Sequence, residues 1–223
     1  MTELAIYDMD RTITRRSTYG PFLAYAARRR APWRILFLPA VLIVTLAYLL
    51  NMIDRARLKE INQSLMLGRD IAPGHLAPLV TGFAEHTERT NVHPGALSMI
   101  RQDKAAGRRL VLATASYKLY AAAIGKRLGF DDIVATNTLI GLDARVSAKI
   151  DGENCYGPAK LRMILAWMAA EGLRREEVRV RFYSDHASDA PAFEWADDPF
   201  AVNAHAELRT LARVRGWPIL DWR

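Results

Sequence analysis

The 223-residue sequence predicts an α/β fold, a parallel sheet covered by helices on both faces, with a helical insertion after the first strand. Short β-branched or aromatic apolar runs recur along the chain with helical stretches between them, and residues 17–90 break that rhythm with helical patterning alone. Leu4 to Tyr7 is the first such run and ends in carboxylates. Arg109 to Ala113 repeats it, and Ile133 to Ala135, Val178 to Tyr183 and Phe200 to Val202 supply three more strands. Between them, Lys118 to Leu128 and Pro158 to Ala170 read as crossover helices, each followed by the glycine expected past a helix end, Gly129 and Gly172. Thr136 to Ile150 alternates around Gly141 and predicts a β-hairpin hung from the sheet. The chain thus divides into a core of residues 1–16 and 91–223 and an insertion of residues 17–90 that carries a strongly apolar segment, residues 35–50.

Hydrophobic residues at 51% and charged residues at 25% match ordinary globular usage and exclude a disordered, collagenous or repeat-built chain. One cysteine, Cys155, permits neither an internal disulfide nor a cysteine zinc site, points to a reducing compartment and is read as packing. Lys and Arg number 31 against 24 acids, a net charge of +7, which favours an anionic partner: nucleic acid, a phosphate ester or a lipid surface. The first residues hold Glu3, Asp8 and Asp10 and no basic region leading into an apolar run. They do not read as a secretory signal, and a cytoplasmic protein is expected.

Chemistry concentrates at strand ends. Asp8-Met9-Asp10-Arg11-Thr12 places two carboxylates after the first strand, where open α/β sheets put their sites, and such a pair can serve as nucleophile and proton carrier; an Asp-capped turn explains the same letters. Asp185 and Asp189 follow the strand Val178 to Tyr183. Four converging acids need a cation, and hard oxygens favour Mg2+, although Asp185 or Ser188 could simply cap the next helix. Lys160 falls in the first turn of the helix opened by Pro158, a place that opposes the helix dipole unless an anion lies nearby; otherwise it is a solvated lysine. Thr114 ends the second strand, with a hydroxyl able to hold a phosphate oxygen or to cap a turn.

In order and strand context, Asp8-Met9-Asp10-Arg11-Thr12, Thr114, Lys160 and Asp185 with Asp189 resemble the four motifs of the haloacid dehalogenase superfamily of phosphohydrolases, in its phosphoserine-phosphatase-like branch, subfamily IB. The resemblance implies a Rossmann-like, doubly wound parallel sheet, a helical cap over 17–90 and hydrolysis of a phosphate monoester through an aspartyl-phosphate. By the same resemblance, Asp8 attacks phosphorus, and Asp10 protonates the leaving oxygen and then activates water. Mg2+ is held by Asp8, the backbone carbonyl of Asp10 and Asp185, with Asp189 a further acid, and Thr114 and Lys160 bind the transferring group. Arg11 stands where the superfamily often has glycine. Ser17 stands where phosphoserine phosphatases carry a glutamate for the substrate's ammonium group, which speaks against phosphoserine itself.

Ile35 to Leu50 contains no charge. It falls short of the roughly 20 residues a bilayer span needs, is interrupted by Pro39, and as a single span would put Asp8 and Asp185 on opposite sides of a membrane. Three readings remain: a buried cap helix, an element dipping into lipid, or a dimer contact. Arg28, Arg29, Arg30, Arg34, Arg55, Arg57 and Lys59 suit anionic head groups, so residues 28–59 are a candidate peripheral contact on the cytoplasmic face of the inner membrane. The arrangement also resembles bacterial phosphatidylglycerophosphate phosphatases of the same branch, which implies a lipid-linked phosphate ester. The alternatives are a phosphoserine-phosphatase-like enzyme on a soluble metabolite, a basic nucleic-acid-binding protein and a non-catalytic scaffold. Basic residues spread along the chain, with no recognisable nucleic-acid module, disfavour nucleic acid. His186 reads as an exposed loop histidine, His75, His86, His93 and His205 show no ligand spacing, and Trp217 and Trp222 read as sealing the sheet edge.

Overall fold

A computed structural model describes residues 1–223. At the centre of an eight-stranded sheet, β1 (Thr2–Tyr7) lies parallel to β3 (Arg109–Tyr117) on one side and to β6 (Val178–Ser184) on the other. Beyond β3 come β4 (Asp132–Ile140), β5 (Val146–Asp151) and the two-residue β2 (Asp70–Ile71). Beyond β6 lie β7 (Asp198–Val202) and β8 (Ile219–Leu220). Pairing is parallel from β4 through β8, while β5 and β2 add an antiparallel edge; the predicted hairpin is β4–β5. The chain crosses over to either side of β1, so the loops after β1, β3 and β6 share one crevice.

Side-chain alternation explains why both faces are covered. Leu4 and Ile6 of β1, with Val111, Ala113, Val180 and Phe182, point to one layer; Ala5, Tyr7, Leu110 and Leu112 point to the other. The first layer is α7 (Pro158–Ala170), α8 (Ala190–Trp195) and α9 (Ala206–Arg215), through Ile164, Met168, Phe193, Leu208 and Ala212. On the opposite layer lie α1 (Tyr19–Arg30), α4 (Pro73–Asn91), α5 (Pro94–Ala105) and α6 (Lys118–Leu128), with Phe22, Phe83, Ile100 and Ile124 packed on the sheet. At the β8 edge, Trp217 stacks on Phe193 and Trp222 is buried beside Tyr183.

The excursion after β1 closes on itself. Thr14 pairs with Val92 in an antiparallel bridge, and the Asn91 side chain both accepts from Arg16 N–H and donates to its carbonyl, each at 3.1 Å. Within it, α1, α4 and, through Met66, α3 (Arg55–Met66) share the core cluster of the sheet, whereas a 3-10 turn (Pro32–Phe37) and α2 (Leu38–Leu49) lie outside it and touch it only through Ile35 and Val41. The apolar segment is not the buried cap helix that its composition allowed. No residue of Pro32–Leu49 is buried, and Leu42, Ile43, Leu46 and Leu49 are 70%, 68%, 55% and 67% exposed. The reason lies in α3, whose buried face (Lys59, Asn62, Gln63 and Met66) is spent on the body of the protein, so α2 packs on α3 with no further layer above it. Each large apolar side chain left in water forgoes on the order of 1.5–3 kcal/mol of burial.

Behind the site, Asp103 is fully buried and accepts hydrogen bonds from Tyr7 Oη (2.5 Å), Tyr183 Oη (3.0 Å), Arg108 (3.2 Å) and Arg181 (3.1 Å). Burial, reinforced by the neighbouring carboxylate, holds both phenols far above their usual range, so they remain donors. Asp103→Ala orphans the buried hydroxyls of two tyrosines whose rings stack on one another beneath the strand ends. A loss of about 3–5 kcal/mol is expected in urea unfolding; a loss below about 1 kcal/mol would show the network to be dispensable.

Candidate active site

The β1 register runs through Tyr7 opposite Tyr183, and the Asp8 N–H donates to the Tyr183 carbonyl at 2.8 Å, which fixes Asp8 against the end of β6. After Asp8 the chain coils through Met9–Ile13, where Arg11 has φ 66°. That left-handed conformation is comfortable for glycine and costs another residue about 1 kcal/mol, which explains the glycine common at this place in the resembling superfamily. The coil turns Asp10 away from Asp8. Asp10 Oδ1 accepts from Thr18 N–H (2.7 Å) and Thr18 Oγ1 (2.8 Å), and Oδ2 accepts from Ser116 Oγ (2.7 Å).

Asp8 and Asp185 come together: the Thr12 hydroxyl lies 3.2 Å from Asp8 Oδ2 and 3.3 Å from Asp185 Oδ1. Lys160 Nζ donates to Asp8 Oδ1 at 2.8 Å and to Asp189 Oδ2 at 2.6 Å, and Ser184 Oγ also donates to Asp189 Oδ2, at 2.7 Å. Lys160 reaches in from the first helical turn because Gly157, at φ 59°, swings the chain into Pro158. It is therefore no solvated surface lysine: Asp8, Lys160, Asp185 and Asp189 are all buried. Burial alone would depress the ammonium, but facing Asp189 and Asp8 outweigh it and hold Lys160 above its usual range. Burial pushes the Asp8 carboxyl up, with Asp189 adding to the effect and Lys160 opposing it. Burial and the Asp8 charge push Asp185 up likewise.

The donor set suits a hard divalent cation. Asp189 Oδ1 is buried without a hydrogen-bond partner, and Asp8 and Asp185 face each other at an electrostatic cost that a cation would remove. No three acidic, histidine or cysteine side chains converge on one point, because Asp10 is committed to Thr18 and Ser116 and Asp189 to Lys160. Two carboxylates plus a backbone carbonyl, the rest of the shell being water and phosphate, is the sparse protein set Mg2+ takes. The Asp10 carboxylate is engaged by Thr18 and Ser116, so its side chain is not free for a cation in this arrangement.

Thr114 is buried, and its hydroxyl accepts the Ser116 N–H at 3.1 Å, leaving its own proton free to donate. The cavity over the carboxylates, about 240 Å³, is lined by Asp8, Asp10, Asp185 and Lys160 together with Ser17, Arg55, Tyr156 and His186. Sequence reading missed several of these neighbours. Ser116 and Thr18 orient Asp10; His205 Nε2 lies 3.1 Å from Asp185 Oδ2, and its N–H caps the Asp185 carbonyl. His186 is not an exposed loop residue but a half-buried lining one whose Nδ1 accepts from Ser188 N–H. Lys59 does not face outward as a head-group contact, and Arg55, though exposed, lies along the cavity. The Arg55 guanidinium sits 4.0 Å from the Tyr156 ring centroid, and Lys59 is buried, donating to the Ala115 carbonyl (2.5 Å) and Asn154 Oδ1 (2.8 Å). Burial, then the Arg55 charge, lower the Lys59 ammonium to about 7.

Known proteins share this architecture. Phosphoserine phosphatase SerB1 of Mycobacterium tuberculosis is 28% identical over 226 residues, all of this chain and 72% of its own length. A Streptomyces azureus protein named for inhibition of morphological differentiation is 37% identical over 131 residues, 59% of this chain; the match covers 46% of that relative, about half its length. Among solved structures, a Bordetella pertussis protein of unknown function superposes with a TM-score of 0.88 at 25% identity, covering all of both chains. A substrate-bound phosphoserine phosphatase superposes at 0.63 and 17% identity over 100% of this chain and 94% of its own. A family model described as haloacid dehalogenase-like hydrolase matches residues 5–194, from the middle of β1 past Asp189, and with that span the chain belongs to the haloacid dehalogenase-like hydrolases.

Proposed function

We propose that the protein is a Mg2+-dependent phosphomonoester hydrolase working through a phospho-aspartate on Asp8, with a small or lipid-linked phosphate ester as substrate and residues 17–90 as its cap. The observation that carries this reading is the buried Asp8–Lys160–Asp189 chain with Asp185 on the shared Thr12 hydroxyl. An Asp8 oxygen attacks phosphorus as the ester P–O bond breaks, and Asp10, held at the border of the insertion by Thr18 and Ser116, gives its proton to the departing oxygen. A water then attacks the phospho-aspartate, Asp10 takes its proton, the P–O bond to Asp8 breaks, and phosphate leaves. Lys160 and the Thr114 hydroxyl hold the transferring phosphoryl oxygens. Bound through Asp8, Asp185 and the Asp10 carbonyl, Mg2+ would supply charge neutralisation for the phosphoryl group and the nucleophile.

Apart from Asp10, the leaving-group side is lined by Ser17, Arg55 and Lys59 with no further acid, which favours an anionic or neutral leaving group over the ammonium of phosphoserine. Relatives named phosphoserine phosphatase and histidinol-phosphatase support a soluble metabolite as the second reading. The test is turnover of a generic aryl phosphate, abolished by EDTA and restored by Mg2+; turnover undiminished in EDTA would end the metal reading.

A thermal melt checks the cation independently. With the Asp8 and Asp185 carboxyls raised, the folded chain keeps protons that the unfolded chain has released, so stability falls as pH rises from the ordinary carboxylate range towards neutrality. A cation that binds the ionised pair reverses this. At Mg2+ about 100-fold above its dissociation constant, Tm should rise by about 5–10 °C near pH 8 and by much less near pH 5. A Tm unmoved by Mg2+ at both pH values counts against the site.

A further inference from the structure

The arm that begins at Pro32 and ends at Leu50 carries a single charge, Arg34 at its foot, and is otherwise apolar, with Trp33, Leu36, Leu42, Ile43, Leu46 and Leu49 more than half exposed. A helix of uniform hydrophobicity normally lies within a protein core or in lipid, and α2 lies in no core. At its foot a groove of about 560 Å³ is lined by Arg29, Arg30, Trp33, Arg34 and His75 with no acidic side chain. Arg30 donates to the Leu67 carbonyl and Arg34 to those of Ser64 (3.1 Å) and Leu65 (2.8 Å), so both guanidinia are held at the end of α3 with only carbonyl partners and no carboxylate. Trp33 carries the Arg34 guanidinium 4.8 Å from its ring centroid, an amphipathic pair of the kind enriched where water meets hydrocarbon.

We propose that this arm docks on the surface of an anionic lipid bilayer, with α2 in the interface and the arginine groove on lipid head groups. The arm does not cross: Pro32–Leu49 has the length and apolarity of a span, but both its ends return to the same body through α1 and α3, so a single crossing would put the two halves of that body on opposite sides of the bilayer. A second copy of the chain is the weaker occupant, because it would cover the apolar helix without supplying an anion from the matching surface, whose groove lining holds no acidic side chain. The inner end of the arm bears on catalysis. Tyr48 of α2 lines, with Asp10, Ser17, Arg55 and Lys59, a cavity of about 230 Å³ adjoining the carboxylates, so docking sets the leaving-group side of the site beside the head groups.

The experiment is co-sedimentation of the full chain with vesicles of phosphatidylcholine alone and of equimolar phosphatidylcholine and phosphatidylglycerol, compared with Leu42→Glu/Leu46→Glu. Both positions are solvent-exposed, so the double variant keeps its fold and its aryl-phosphate turnover. Wild type should bind the mixed vesicles at least about tenfold more tightly than the neutral ones, and binding should weaken with added salt. The double variant should lose at least about tenfold in affinity for the mixed vesicles. Equal binding to neutral and anionic vesicles, undiminished binding by the variant, or a wild-type dimer in sedimentation velocity that the variant dissociates while neither binds vesicles would each overturn the proposal. The readout is independent of turnover, so a failure here leaves the hydrolase reading standing and the reverse holds too.

Discussion

Asp8→Asn protein should hydrolyse an aryl phosphate at least ~10⁴-fold more slowly than wild type at saturating Mg2+, while melting at the same temperature or higher in EDTA. An amide has no oxygen able to displace the leaving group, so the loss falls on the chemical step. The fold is spared because asparagine is isosteric and its Oδ1 still accepts from Lys160, as Asp8 does at 2.8 Å. Stability rises because one of two facing buried carboxylates has lost its charge, relieving the repulsion that now pushes Asp185 up. Asp10→Asn leaves the nucleophile in place and removes the proton carrier, for which a smaller loss of about 10²–10⁴ is expected. A rate within about tenfold of wild type in Asp8→Asn would sink the nucleophile assignment, and a large fall in its Tm would reduce the rate loss to misfolding.

The parts of this site that the sequence made readable are those the backbone announces. Asp8 and Asp185 each follow a short apolar strand, and Lys160 follows a Gly-Pro helix start, so their places at strand and helix ends follow from local rules. The sheet itself was legible for the same reason, since strand and helix periods differ. What those rules cannot supply is the third dimension. Ser116 and Thr18 meet at Asp10 because β3 lies beside β1, and His205 meets Asp185 because α9 starts at the crevice; no spacing along the chain encodes either meeting. Lys59 was misread for a related reason: a basic cluster flanking an apolar run looks like one surface, yet α3 turns Lys59 inward and sets the exposed Arg55 over the Tyr156 ring beside the cavity, while Arg28 and Arg29 stay in solvent. Nor does composition say whether Ile35 to Leu50 finds a partner layer, which depended on how α3 used its own buried face.

Lys160→Met should cost both activity and stability, and its pH dependence separates the two. The ammonium is the counter-charge that bonds Asp8 and Asp189, and its pKa is held above the usual lysine range, so it contributes at every pH below the unfolded lysine value. Methionine fills the volume and leaves those carboxylates facing Asp185 with no cation. Removing one partner of a buried pair costs about 3–5 kcal/mol, or a Tm lower by roughly 10 °C or more in EDTA near pH 8. Asp8 and Asp185, already raised, then take protons more readily in the folded state, so the deficit against wild type should shrink as pH falls through their raised range towards about pH 5. Turnover should fall by about 10²–10³ through loss of a charge aimed at the phosphoryl oxygens, and lowering the pH should not restore it. A double-mutant cycle closes the test. In Asp8→Asn/Lys160→Met the stability loss should be smaller than in Lys160→Met alone, because one of the stranded charges is gone. Strict additivity of the two substitutions would mean that Lys160 packs beside Asp8 without neutralising it, and the buried ion pair could then not be what prepares the nucleophile.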